Sequence, residues 1–215
     1  MAYLSKDTKT IEAIKSGKDL HKIAAAALYQ ISTDEVTKLQ RQNGKIFRFA
    51  AAYGAKEDKI AEQFGISKAE AKKLINNYFN EYPALLEFQQ STFLETLNRG
   101  YILVDKLGRR SYLPNWEEYL ATKSKRLYAE YYRLNANFQI QGTAASMSKF
   151  ALILLREQLK NTTAKIVGFV HDEIIVECNL NEATKIKKIL ERCMNKASAY
   201  FGGGISKGDA LITNN

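Results

Sequence analysis

The sequence is poor in the residues that staple, kink or anchor a chain. Among its 215 residues are two cysteines, two prolines, two histidines and one tryptophan. Cys178 and Cys193 are too few for a disulfide framework, so the small secreted scaffolds are excluded and a reducing cytoplasm is expected. No apolar run reaches the length of about eighteen residues that a membrane-spanning helix needs. The opening segment, Met1-Ala-Tyr-Leu-Ser5-Lys-Asp7, lacks the apolar centre of a secretory leader. Acid is scarce relative to base: 23 Asp and Glu face 32 Lys and Arg, a net charge of +9. A basic excess favours a polyanionic partner, nucleic acid above all. What the chain does have is apolar content, 46% of it, enough for one large or two small packed units.

The most organised stretch is Arg41-Gln-Asn-Gly-Lys45-Ile-Phe-Arg-Phe49-Ala-Ala-Ala-Tyr53-Gly54. Arg41, Lys45, Phe49 and Tyr53 recur every fourth residue, and on a helix each lies about 40° round from the last. The spacing therefore predicts one slowly winding stripe of two cations followed by two aromatics. Arginine offers a planar fork of donors and lysine a compact point charge, so the two grip a phosphate chain at separate points. An aromatic one turn further on stacks against a base or sugar. Taken alone, the same stripe also fits a solvated basic face running into a core face. Gly54 suits a stop just past the last helical residue.

Around this helix the chain reads as follows. Residues 1–29 form two helical pieces broken at Ser16-Gly17, the second opened by Asp19 as N-cap. His21 on that second piece reads from spacing as a surface histidine. Ser32-Thr33-Asp34-Glu35 resembles a capping box before a short helix, and Ser67 with Glu70 caps a longer one. Glu81-Tyr82-Pro83 ends that helix, because proline keeps its predecessor out of the helical region. Residues 85–97 continue as an amphipathic helix closed by Gly100. Residues 101–104 and 110–113 are two short strands, ended by Pro114-Asn115, with Arg109 and Arg110 structural or backbone-contacting.

Residues 123–150 are a long helical stretch with an interruption. Within it Arg133, Asn137 and Gln141 again stand four apart, followed by Gly142-Thr143-Ala144-Ala145. The amides of Asn137 and Gln141 can donate to base acceptors or sugar oxygens in the degenerate minor groove, whose acceptors are shared by all base pairs. They also fit a polar cap cluster before a helix over residues 142–159, and both readings are open. Lys165–Val170 and Ile174–Cys178 are β-branched runs separated by His171-Asp172-Glu173, which predicts a hairpin. Two adjacent carboxylates at a hairpin tip repel each other unless a divalent cation removes the repulsion. A final amphipathic helix over residues 179–200 covers the sheet, and a glycine-rich tail follows.

Four of these motifs, in one order over residues 1 to about 200, resemble the family A DNA polymerases, the class that includes bacterial DNA polymerase I. R-x-x-x-K-x-x-x-F-x-x-x-Y-G resembles that family's fingers helix, and Gly17-Lys-Asp-Leu-His21 its G-K-D-[IL]-H segment. Arg133 to Ala145 is similar to R-x-x-x-N-x-x-x-Q-G-T-A-A, and His171-Asp172-Glu173 to the palm metal motif. The helix-Tyr-Pro-helix order is also similar to the fingers region. The two short strands are similar to the G-Y-x-x-T-x-x-G-R-x-x-x-x-P hairpin, with Val104 where threonine is common and a loop one residue longer.

The resemblance implies an α+β fold, with residues 1–130 a mostly helical fingers subdomain. Residues 131–215 are then the C-terminal part of an antiparallel-sheet palm with covering helices. It implies that Arg41 and Lys45, helped by His21, hold the β/γ and α phosphates of an incoming dNTP. Phe49 stacks on that nucleotide, and phenylalanine there is associated in the family with rejecting dideoxynucleotides. Tyr53, with Gly54 beside it, guards the templating position. Arg133, Asn137 and Gln141 touch the minor groove of the primer–template DNA. Asp172 binds Mg2+, Glu173 lies just outside its ligands, and His171 lies near the primer end; Lys45, Asp172 and Glu173 form the catalytic set.

Phosphoryl transfer of this kind uses two Mg2+ ions about 4 Å apart, bridged by two aspartates. The family's first aspartate lies in D-Y-S-x-[IL]-E-x-R, immediately before a segment like Met1–Ser5, and that motif is not in these 215 residues. The ribonucleotide-excluding glutamate, the thumb and any proofreading exonuclease are not here either. The expectation is therefore the C-terminal part of a split or interrupted DNA polymerase of phage or bacterial type, cytoplasmic. Its partner is an upstream polypeptide carrying the thumb and the first palm motif. The alternative is a non-catalytic DNA-binding or assembly subunit, or a remnant; intact Arg41, Lys45, Tyr53 and Asp172 argue against decay.

Overall fold

The computed structural model describes residues 1–213. They fall into two compact units: Met1–Val104 with Gly108–Ile140, and Asp105–Leu107 with the residues from Gln141 onward. The fold is α+β, mostly helical with two separate antiparallel hairpins among the described residues. No described helix is long and apolar enough to cross a membrane.

The first unit opens with α1 (Thr8–Lys15), α2 (Leu20–Tyr29) and a single 3₁₀ turn (Thr33–Glu35). Then come α3 (Lys38–Ala52), α4 (Glu57–Phe64), α5 (Lys68–Glu81) and α6 (Pro83–Arg99). Side chains set most of these starts. The Asp19 carboxylate accepts from the backbone N–H groups of His21 and Lys22 at the head of α2. Reciprocal capping boxes start α3 (Thr37 with Gln40) and α5 (Ser67 with Glu70). Pro83 occupies the first turn of α6, where its missing N–H has no partner to lose. Phe47, Tyr78, Tyr82, Leu28, Ile60 and Leu85 fill the core between α2 and α6.

A hairpin of β1 (Tyr101–Leu103) and β2 (Arg110–Tyr112), then α7 (Trp116–Thr122), leads into α8 (Lys125–Leu159). Phe93, Ile102, Leu113, Tyr119, Leu127 and Tyr131 make a second apolar cluster here. The second unit holds the rest of α8, β3 (Lys165–Val170), β4 (Glu173–Glu177) and α9 (Ala183–Gly202). Its core joins Leu155 and Leu159 of α8 to Ile186, Ile189, Cys193 and Ala197 of α9, with Ile174 of β4 beneath. Both cysteines are free thiols.

Three sequence expectations need correction. Helix α8 runs for 35 residues straight through Gly142, without the interruption expected there. Glycine inside a helix costs about 1 kcal/mol, but Gly142 and Thr143 are both buried, and packing outweighs that cost. The break falls earlier, where Lys123 adopts a left-handed φ of +50° between α7 and α8. Second, Glu173 belongs to β4, paired with Val170, so the hairpin loop is two residues, His171-Asp172. Third, α4 and α7 were not anticipated; each is short, and each buries a single residue, Ile60 and Tyr119 respectively.

Candidate functional site

The first cluster of candidate residues forms where α2 lies along α3. The contact depends on Gly44 in the middle of α3, whose bare backbone meets the His21 carbonyl and Ala25 of α2. This brings His21 beside the Arg41–Lys45–Phe49 stripe. The Nε of Arg41 donates to Oδ2 of Asp19 at 2.6 Å, so one carboxylate caps α2 and orients a cation of α3. The Arg41 guanidinium is the main reason that the Asp19 carboxyl titrates below the usual carboxylate range. Lys45 is exposed, and Phe49 is 51% exposed, with its ring 6.3 Å from that of His21 and tilted by 43°. An exposed aromatic near basic side chains has the chemistry to stack on a flat ring and to meet an anion.

His21 is tuned to the same face. Its Nδ1 is shielded from solvent and has no hydrogen-bond partner. Burial, then the nearby charges of Arg48 and Arg41, holds its pKa below the ordinary imidazole value of 6.5. The sign of the pH dependence follows. The unfolded chain takes up a proton near the ordinary value while the folded chain does not. His21 therefore lowers stability as pH falls through 6.5 toward its folded pKa. A polyphosphate seated against this face would reverse the local field and raise that pKa. With two histidines in the chain, proton NMR can follow each ring. We expect His21 to titrate below 6.5 in the free protein and to move upward when a dNTP is added. A His21 titration indifferent to the triphosphate would remove the histidine from the site.

The far end of the stripe is held differently. Tyr53 is the C-cap of α3, and its N–H bonds back to Phe49 and Ala50. Gly54 follows with φ +72°, a left-handed conformation that glycine adopts freely. Tyr132 of α8 packs so closely on Gly54 that an added Cβ would lie 2.9 Å from its ring. The turn of α8 that carries Arg133 is thus set against the end of α3.

Along α8, Arg133 and Asn137 are exposed and stand one turn apart. They face outward because the opposite side is pinned. Asn135, 1% exposed, accepts from Thr96 and Gln139 and donates to Thr92. Gln141 is a further turn on, exposed, and begins the second unit's share of the helix.

In the second unit, His171, Asp172 and Glu173 are all exposed at the β3–β4 tip. His171 takes φ +55° in the first loop position, where glycine is usual. Histidine is among the few side chains that tolerate this region. The loop presents Asp172 at the end of the hairpin, with Glu173 next to it as the first residue of β4. Among the described residues no group of three His, Cys, Asp or Glu side chains is placed to hold a metal ion. Asp172 and Glu173 at the tip are hard oxygen donors. That fits Mg2+, which is commonly bound through one or two carboxylates plus water and substrate phosphates.

Several residues at these sites were not read as functional from sequence. Asp19 was read as a cap only, and its pairing with Arg41 joins residues 22 positions apart. Gly44 carried a usable signal, since a lone glycine within a helical pattern often marks a close approach. Tyr132 carried none.

The sequence profile of DNA polymerase family A matches residues 1–201. DNA polymerase I of Borreliella burgdorferi is 35% identical over 201 residues, which are 92% of this chain and 21% of that protein. DNA polymerase I of Caldicellulosiruptor bescii is 32% identical over 201 residues, 93% of this chain and 23% of that protein. Among solved structures, the POL domain of Pol1 from M. smegmatis, in complex with DNA primer-template and dNTP, superposes with a TM-score of 0.81. It is 31% identical and covers 92% of this chain and 34% of that one. The chain thus spans less than a quarter of the length of these curated relatives.

Proposed function

Because the chain belongs to DNA polymerase family A, we propose that it supplies the nucleotide-delivering and part of the metal-binding surface of a template-directed DNA polymerase. The first unit corresponds to the fingers and the second to the later part of the palm. The observation that carries this is the α2–α3 face: His21, Arg41 and Lys45 gathered beside an exposed Phe49. Arg41 and Lys45 hold the triphosphate, Arg41 exchanging its Asp19 partner for phosphate oxygens. His21 contributes beside them, neutral until the anion arrives. Phe49 stacks on the base or sugar, and Tyr53 and Gly54 border the templating base. Arg133, Asn137 and Gln141 face the minor groove of the primer–template.

Asp172 would hold Mg2+, with Glu173 supporting it from outside the direct ligands and His171 serving the primer end. Mg2+ held there would supply charge to polarise a phosphate and to lower the pKa of a hydroxyl bound to it. A second aspartate must come from another segment, in a longer polypeptide or a separate chain. Two features of the hairpin support an additional segment there. Among the described residues β3 and β4 pair only with each other. Val167, Phe169, Val170 and Ile175 on them are each at least 41% exposed. A two-stranded sheet with open edges and exposed apolar side chains is marginal by itself and favours added strands.

The test is primer extension with Mg2+ and the four dNTPs. The 215-residue chain alone is expected to extend no faster than buffer. Adding an upstream polypeptide that carries the thumb and the first palm aspartate is expected to restore extension. Robust synthesis by the lone chain would refute this division of labour. DNA binding without synthesis in either mixture would favour a non-catalytic binding subunit.

A further inference from the structure

We propose that Gln89 and Tyr132 are positioning residues for the templating end of α3, a role that rests on the polymerase reading above. Gln89 lies in the middle of the buried stripe of α6, between Leu85 and Phe93, and is 2% exposed. A leucine or methionine would fill such a place with no polar group to satisfy. The amide is tolerated only because its bonds are made. Its nitrogen donates to the carbonyls of Ala51 at 2.9 Å and Ala52 at 3.2 Å. Its oxygen accepts from the hydroxyl of Tyr132 at 3.1 Å. Both N–H groups and the oxygen are thus engaged.

The carbonyls of Ala51 and Ala52 belong to the last turn of α3, where a helix runs out of its own donors. Ala51 also accepts from the Gly54 N–H at 3.1 Å, so the buried Gln89 amide reinforces the last turn immediately before Tyr53 rather than closing it alone. Tyr132 secures the next residue. Its ring presses on Gly54, leaving no room for a Cβ there. The ring is itself held edge-on by Phe93, with centroids 5.1 Å apart, and lies under the Lys56 ammonium, 4.4 Å from the ring centre. Residues 51, 52 and 54 are fixed from one side by this pair, so Tyr53 between them has a defined orientation. The same tyrosine immediately precedes Arg133. Bond by bond, the pair ties the α3 end that borders the templating base to the α8 turn that faces the DNA.

The variants are Gln89→Met, Tyr132→Phe and the double substitution. The first keeps the volume and removes all three hydrogen bonds; the second removes only the hydroxyl. In the 215-residue chain, amide exchange at residues 53–56 is expected to speed up about tenfold in Gln89→Met, while exchange in α9 stays near that of the unmodified chain. The double variant is expected to be no worse than Gln89→Met, because the two residues act through one bond.

A second readout separates positioning from a merely structural role. Binding is measured by fluorescence anisotropy to two primer–templates, one blunt and one with a single-stranded template overhang. The unmodified chain is expected to bind the overhang form more tightly by about fivefold or more, the scale of one stacked base. Gln89→Met is expected to lose that increment and keep its affinity for the blunt form. Unchanged exchange at residues 53–56, or equal weakening toward both DNAs, would overturn the proposal. No overhang increment in the unmodified chain would overturn the templating reading and the proposal with it. The two failures are distinguishable, since the first needs a variant and the second does not.

Discussion

Gly44→Ala is expected to destabilise the chain by about 2–3 kcal/mol and to take the α2–α3 face apart. The sign is what makes this informative. In a free helix, alanine is better than glycine by about 1 kcal/mol, so the substitution would stabilise α3 if nothing lay against it. Here the new Cβ would lie 2.5 Å from the His21 carbonyl oxygen, 2.7 Å from the Ala25 nitrogen and 2.9 Å from the Ala25 Cβ. Two of these are backbone atoms, which cannot rotate away, so α2 must move off α3. That movement separates His21 from Phe49 and stretches the Asp19–Arg41 pair. Urea denaturation measures the stability, and dNTP titration followed on the His21 resonance measures the face. A Gly44→Ala chain more stable than the original would mean that α2 does not pack on α3 as described.

The glycine also illustrates how much of this molecule can be read in one dimension. The stripe Arg41–Lys45–Phe49–Tyr53 is periodic, so its helix and its shared face follow from spacing alone. Asp19, Ser67 and Gly100 act on backbone groups within a few residues of themselves, and they cap or end helices as local chemistry dictates. The hairpin around Asp172 follows from two β-branched runs, but its register does not. Whether Glu173 sits in the loop or on the strand depends on how β3 and β4 pair, and the structure pairs Glu173 with Val170. The continuity of α8 through Gly142 was hidden for a related reason, since burial of that turn offsets a local penalty. What joins residues far apart in sequence had no signature. Arg41 finds Asp19 across 22 positions, and Gln89 finds the α3 carbonyls across 37 and 38. A polar residue inside an apolar helical stripe is the nearest thing to a clue, and Gln89 is one.

Asp172→Asn is expected to abolish synthesis without harming the fold. The residue is exposed at the second position of a two-residue loop, where asparagine is as well suited as aspartate. Thermal stability should therefore change little, by less than about 0.5 kcal/mol. The amide oxygen is a far weaker ligand for a hard divalent cation than a carboxylate, and it carries no charge to balance the metal. In the mixture proposed above, with a polypeptide carrying the thumb and the first palm aspartate, extension should fall on the order of a thousandfold. Affinity for primer–template DNA should hold or rise, because a negative charge facing phosphates has been removed. Glu173→Gln provides the contrast. If Glu173 stands outside the metal's direct ligands, its loss should cost synthesis much less than the loss of Asp172. Equal losses would place both carboxylates on the ion. Extension unaffected by Asp172→Asn would show that the tip does not bind the catalytic metal. The α2–α3 face would then have to serve binding alone.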